Sequence, residues 1–280
     1  MPIGTSGPNT APANYEALVG YHPNARRFIA EGDSWFAFPL MRMNFLDCLD
    51  ARNGKAALID REFSKASSGH TVAQITADKN LAAIRKRMMK FAQKGIGYHA
   101  LLLSGGGNDI VGEELNGFLF EKKPGMTWHD CINTKALDKC MKTLRAGYEK
   151  VIALRDAVDS ECWIFTHLYD YAFPDGTPVH VWPLKVGPWM QPALRGHKIT
   201  TAEDQQQIIW HILDTFRDML LPLERAHGNF RVANTLGTLD RDDWGDELHP
   251  TGEGFMKIAK VFQRALRDEF PELPNPANWA

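Results

Sequence analysis

Three short blocks of the chain carry residue types that together could transfer an acyl group. Gly32-Asp33-Ser34-Trp35 offers a hydroxyl. Ser104-Gly105-Gly106-Gly107-Asn108-Asp109 offers an amide behind a run of glycines. Asp246-Glu247-Leu248-His249-Pro250 offers an imidazole with a carboxylate three residues ahead of it. A serine hydroxyl is a weak nucleophile until a neighbouring base takes its proton, and a histidine, titrating close to working pH, suits that task. A carboxylate accepting from Nδ1 would hold the ring in one tautomer and stabilise the imidazolium. In a turn leading into a helix, the spacing of Asp246 and His249 brings the two together. Asn108 can donate its amide to a tetrahedral oxyanion, and the glycines before it let the backbone turn sharply and approach a substrate. Backbone N–H groups of Ser34 and of Gly69, in Ser67-Ser68-Gly69-His70, can add to the same hole. Taken singly, each block has a plainer reading: Asp and Ser favour turns, Asn-Asp caps helices, and an Asp-rich stretch before a proline suits a solvated loop.

What must position these blocks is a set of alternating strands and helices. Arg27 to Glu31, Ala56 to Phe63, Tyr98 to Leu103, Cys162 to Thr166 and Asn229 to Asn234 are the strand candidates. The apolar runs among them are of the kind that parallel strands, buried on both faces, require. Helical periodicity covers Val72 to about Lys94, Thr134 to Val158, Thr201 to Ala226 and Thr251 to Arg267, with Thr200 or Thr201 as a cap. Right-handed crossovers then give a three-layer α/β/α sandwich with about five parallel strands. In open parallel sheets ligands gather at the carboxyl ends of the strands, which is where the serine and asparagine blocks fall.

Taken together, these blocks resemble the SGNH/GDSL hydrolase superfamily of serine esterases and lipases. The serine block matches Gly32-Asp33-Ser34, with Trp35 where the family often has Leu. The G-x-N-D block matches Gly106-Gly107-Asn108-Asp109, and D-x-x-H matches Asp246 and His249, followed by Pro250. Gly69 has the order and spacing of the family's remaining glycine. The resemblance spans roughly Phe28 to Arg267. It implies a flavodoxin-like sandwich, Ser34 as nucleophile, His249 as base, Asp246 as its orienter, and Ser34 N–H, Gly69 N–H and Asn108 as the oxyanion hole.

Bulk properties narrow the alternatives. The chain has 280 residues, 44% hydrophobic and 24% charged, and a formal net charge of −2. This is globular composition without the basic footprint that nucleic acid or an anionic membrane requires. No H-E-x-x-H, finger-spaced Cys/His pair or Gly-Lys-Ser/Thr loop occurs, so neither a metal nor any other cofactor is expected. Asp240, Asp242, Asp243 and Asp246 lack the regular spacing of a calcium loop. Cys48, Cys131, Cys140 and Cys162 read as reduced thiols, with a Cys131–Cys140 bridge as the alternative. Met1 to Asn14 lacks the basic start and apolar run of a leader, no stretch has the length of a membrane span, and a soluble cytoplasmic protein is expected. Residues 1–26 read as an extension, 27–270 as one domain and 271–280 as a tail.

Two rim insertions interrupt the pattern, Gly112 to Asp130 and Pro174 to His197, without clear secondary structure of their own. Loops of this length are usually functional or disordered, and their Trp and Phe content argues for order. Trp35, Phe36, His167, Trp182 and Trp189 are candidate walls of a substrate pocket, or equally packing residues that hold the loops down. The expected reaction is hydrolysis of a small-molecule carboxylic ester through an acyl-enzyme. Deacetylation of a carbohydrate, acyl transfer to another acceptor, and a binding module that has lost catalysis are the alternatives.

Overall fold

The structure, a computed structural model, describes residues 14–37, 44–49, 57–63, 66–181 and 184–275. Strands β1 (Arg26–Gly32), β2 (Ala57–Ile59), β3 (Ala100–Ser104), β4 (Trp163–His167) and β7 (Phe230–Ala233) form a parallel sheet in the order β2-β1-β3-β4-β7. Two further strands, β5 (Val179–Val181) and β6 (Leu184–Val186), make a separate antiparallel hairpin. The helices are α1 (Tyr15–Tyr21), α2 (Phe45–Leu49), α3 (Val72–Ile75), α4 (Asp78–Ala92), α5 (Gly107–Ile110), α6 (Thr134–Val158), α7 (Gln191–Gly196), α8 (Ala202–Ala226) and α9 (Gly252–Glu269).

The sheet is buried because the middles of its strands are apolar on both sides, with Phe28, Ile29, Leu101, Leu102, Ile164 and Phe165 all buried. Every residue of β3 is buried, as are Phe28 to Gly32 of β1. One face is covered by α4, α6 and α8, packed side by side, and the other by α2 against α9, which makes the expected three-layer α/β/α sandwich. Leu137, Met141, Leu144, Tyr148, Val151 and Ile152 form the buried stripe of α6, at the spacing that keeps one helical face inward. Side chains cap the long helices: Asn133 accepts from Ala136 N, Thr201 from Asp204 N and Thr251 from Gly254 N. Each such cap is worth about 1 kcal/mol.

Several elements differ from the sequence expectation. The second strand is only Ala57–Ile59: Asp60 N still donates to the Phe28 carbonyl at 2.8 Å, but Arg61 N turns back to the Ile59 carbonyl at 2.9 Å, and the buried Asp60 carboxylate pairs with Arg87 at 2.7 and 2.9 Å and accepts from the Tyr98 hydroxyl. The pattern from Val72 to Lys94 is two helices, broken where Ala77 is extended and the Thr76 hydroxyl takes the Val72 carbonyl. Neither rim insertion is irregular throughout. Glu113–Phe118 is a 3-10 helix with Leu115 and Phe118 buried, and the second insertion holds the β5–β6 hairpin and α7. Tyr15 and Val19 are buried, with Tyr15 stacked on Tyr98, so the core reaches back into the segment read as an extension. Leu273 likewise packs into it from the segment read as a tail.

Candidate active site

The strand order reverses between β1 and β3, and the loops leaving those two strands part around a crevice, the place where ligands bind in open α/β sheets. Gly32 is paired with Ser104 in the last register of β1 and β3. A Cβ at Gly32 would stand 2.7 Å from the Ser104 carbonyl oxygen, so only glycine lets the two strand ends approach this closely. The chain then turns at Ser34 on one side and at Gly105–Gly107 on the other. Gly106 has φ +116°, and a Cβ there would meet the Phe216 ring at 2.5 Å, which fixes the turn that starts α5 and presents Asn108.

His249 arrives from the long loop after β7. Its Nε2 is 2.9 Å from Ser34 Oγ, and its Nδ1 is 3.1 and 3.0 Å from the two carboxylate oxygens of Asp246. Asp246 Oδ1 also accepts from the backbone N–H groups of Leu248 and His249, at 2.7 and 2.9 Å. The loop closes on itself where Gly245 N donates to the His249 carbonyl at 2.9 Å, so carboxylate and imidazole are held by one short segment. Ser34, His249 and Asp246 are 6%, 3% and 2% exposed. A hydroxyl, an imidazole and a carboxylate are thus joined in one nearly dry chain, with Nδ1 facing the acid.

Beside it lies a narrow cleft of about 30 Å³, lined by Ser34, Trp35, Asn108, Tyr169, Leu213 and Trp244 among others. Asn108 donates Nδ2 to the His70 carbonyl at 3.1 Å, which orients its amide. The turn carrying Gly69 (φ +81°) is tied to the end of β1 by Ser67 N, donating to the Gly32 carbonyl at 3.0 Å. Gly69 is exposed and lies outside the cleft wall. Asp109 accepts from Val72 N at 2.9 Å, and burial, with the Glu114 and Asp33 charges adding, pushes its carboxyl up to about 6.

The aromatic candidates separate. Trp35 lines the cleft and also braces it, donating its indole N–H to the Leu248 carbonyl at 3.0 Å and stacking on His167 at 5.1 Å. Phe36 and His167 are core residues, not cleft walls. Phe36 packs on Phe45 and His167. His167 spans the Leu168 carbonyl and Ser104 Oγ, both at 2.9 Å, and complete burial lowers its pKa. Trp189 is half-buried with its ring against His249, centroids 5.6 Å apart. Trp182 lies outside the described residues. The alternative Cys131–Cys140 bridge gives way to free thiols: Cys131 faces the Thr127 carbonyl, Cys140 the Asp109 carbonyl, and all four cysteines are unbridged.

Of the buried carboxylates to which the sequence alone assigns no role, three brace the loops of the site. Asp33 accepts from Trp35 N at 3.1 Å, Ser104 Oγ at 2.7 Å and the Tyr169 hydroxyl. Asp170 accepts from Tyr171, Gly237, Thr238 and Leu239 N–H groups, pinning the start of the His249 loop to the end of β4. Glu247 does the same for the second rim insertion, as described below. Burial pushes the carboxyls of Asp170 and Glu247 upward in spite of these donors. Among the described residues, no group of three or more His, Cys, Asp or Glu is placed to hold a metal ion, and no helix is long and apolar enough to cross a membrane.

Comparison with protein-family models and with curated proteins gives no match. Solved structures do match. A lipase from a goat rumen metagenome superposes with a TM-score of 0.54 at 12% identity, over 86% of this chain and 97% of that one. An extracellular lipase from Streptomyces rimosus gives 0.54 at 14%, covering 86% and 100%. Phospholipase A1 from Streptomyces albidoflavus gives 0.50 at 15%, covering 86% and 99%. The likeness is one of fold: the chain has the sandwich of these lipases.

Proposed function

We propose that the chain is a serine hydrolase of the SGNH/GDSL type that cleaves carboxylic esters through an acyl-enzyme. The observation that carries the reading is the unbroken path from Ser34 Oγ through the His249 ring to Asp246, with contacts of 2.9 and 3.0 Å. In this reading His249 Nε2 takes the Ser34 proton as Oγ attacks the ester carbonyl, and Asp246 stabilises the imidazolium that results. Ser34 N–H and the Asn108 amide, both at the cleft wall, donate to the oxyanion, while the Gly69 N–H that the resemblance adds stands outside that wall. His249 then returns the proton to the departing alcohol, and water, activated by the same imidazole, releases the acid and restores Ser34 Oγ–H. No cofactor takes part in these steps.

The cleft walls of Trp35, Leu213 and Trp244 suit an apolar acyl or aryl group, and their indole faces suit a sugar ring equally. Four free thiols fit a reducing compartment, and we place the protein in the cytoplasm. The test is hydrolysis of 4-nitrophenyl esters from acetate to palmitate and of a peracetylated sugar, beside Ser34→Ala. Turnover lost in the variant supports the nucleophile, and the preferred ester assigns the acyl group. A wild-type protein that cleaves none of them and takes no fluorophosphonate label at Ser34 overturns the reading, in favour of a binding module on this fold.

A further inference from the structure

Glu247 stands between Asp246 and Leu248, yet its side chain turns away from the chemistry. It is 1% exposed and faces the second rim insertion. Oε1 accepts from Gly176 N at 2.9 Å and Gln191 N at 3.1 Å, and Oε2 from Trp189 N at 2.6 Å and Met190 N at 2.7 Å. Its own N–H donates to the Thr177 carbonyl at 3.3 Å. One carboxylate thus collects four main-chain donors from both ends of the segment that contains the β5–β6 hairpin. The Trp189 ring whose N–H it holds is the one packed on His249, at 76° between ring planes.

The imidazole is therefore bounded by Ser34 on Nε2, by Asp246 on Nδ1, and by Trp189 against the ring. The Asp246 contact comes with the loop itself, and the Ser34 contact from the turn after β1. The third depends on a remote insertion being held in place, and Glu247 is what holds it. Resting on the ester-hydrolase reading above, we propose that Glu247 is a positioning residue that acts through Trp189: it clasps the insertion to the Asp246–His249 loop so that the indole fixes the ring of the base and keeps water from it.

Glutamate is required for a geometric reason. Glutamine has the same shape, but its amide would set a donor against two N–H groups that already donate. Aspartate is one methylene too short to fill the cradle. A base displaced by about 1 Å can lose about 100-fold in rate without losing substrate binding, so the damage should fall on kcat rather than KM.

The experiment compares wild type, Glu247→Gln, Trp189→Ala and the double variant on 4-nitrophenyl acetate, with Ser34 labelled by a fluorophosphonate as an independent readout. Glu247→Gln and Trp189→Ala are each expected to lower kcat about 10- to 100-fold with KM changed less than about threefold, and to slow Ser34 labelling in parallel. The double variant should be no worse than the poorer single one, because both remove the same contact. Losses that multiply in the double variant, or a kcat within about twofold of wild type in either single variant, overturn the proposal. Should Glu247→Gln fail to fold, Trp189→Ala alone decides by the same criterion. A wild-type protein without turnover or label sinks the ester-hydrolase reading and this inference with it; an active wild type with unaffected variants sinks only the inference.

Discussion

The Tyr169 hydroxyl donates to the carboxylate of Asp33, the residue immediately before Ser34, from the loop after β4 and past the end of β3. Both side chains are buried, and burial with the Asp33 charge beside it raises the Tyr169 pKa well above its ordinary value. The turn that presents Ser34 is thereby braced by a side chain other than His249. Tyr169→Phe leaves one buried carboxylate oxygen without this donor, at a cost of about 1 to 3 kcal/mol. Urea unfolding should show that loss as a lower midpoint with an unchanged slope, and an unchanged midpoint would refute the brace.

Asn108 is expected to matter more for rate than for stability. Losing a single oxyanion donor typically costs about 100- to 1000-fold in kcat, and Asn108→Ala should fall in that range with a nearly wild-type melting temperature. A variant that keeps wild-type kcat removes Asn108 from the oxyanion hole.

Asp246 accepts from Nδ1 of His249 through both oxygens. Asp246→Asn can place an amide donor there instead, favouring the tautomer that cannot take the Ser34 proton. By analogy with other triads the loss is about 10⁴-fold in kcat. Steady-state kinetics on the best ester of the panel gives the number, and a loss below about tenfold would argue that His249 needs no orienter.

Asp109 makes stability depend on pH. Its folded-state pKa, pushed up to about 6 by burial, exceeds the ordinary value near 4 for an unfolded chain. The folded protein therefore holds the proton more tightly, and stability falls as pH rises from about 4 through 6, by no more than about 3 kcal/mol. Asp109→Asn removes that titration while still offering an oxygen to Val72 N. Calorimetry should find the variant more stable than wild type at pH 8 and close to it at pH 4.5. An equal difference at both values would contradict the assignment.

Much of the sheet was legible because its strands are apolar runs that end abruptly in Gly-Asp-Ser, Ser-Gly-Gly-Gly and His-Leu-Tyr-Asp. A polar residue after a buried strand marks the rim, which located the segments carrying Ser34 and Asn108, whereas Asp246 and His249 were legible only from their own spacing ahead of the last helix. The clasps made by Asp170 and Glu247 could not. Their partners are backbone N–H groups, which every residue but proline carries, so no residue type in the sequence announces them. Phe36 and His167 were misplaced for a different reason. At a strand end the direction of a side chain depends on the local turn, and both point down into the core rather than into the cleft. The break after Ile75 has no Gly or Pro to signal it.

The hydrogen bond between Ser34 and His249 joins residues 215 positions apart. On the ribosome the hydroxyl therefore emerges long before the imidazole it bonds. At about 5 to 20 residues per second, the interval is on the order of 10 to 45 s. Throughout that time the nascent chain carries a serine with no imidazole beside it, and any product truncated ahead of the final loop would stay chemically silent. In the proposed ester-hydrolase reading, competence arrives late and all at once, when the last loop docks.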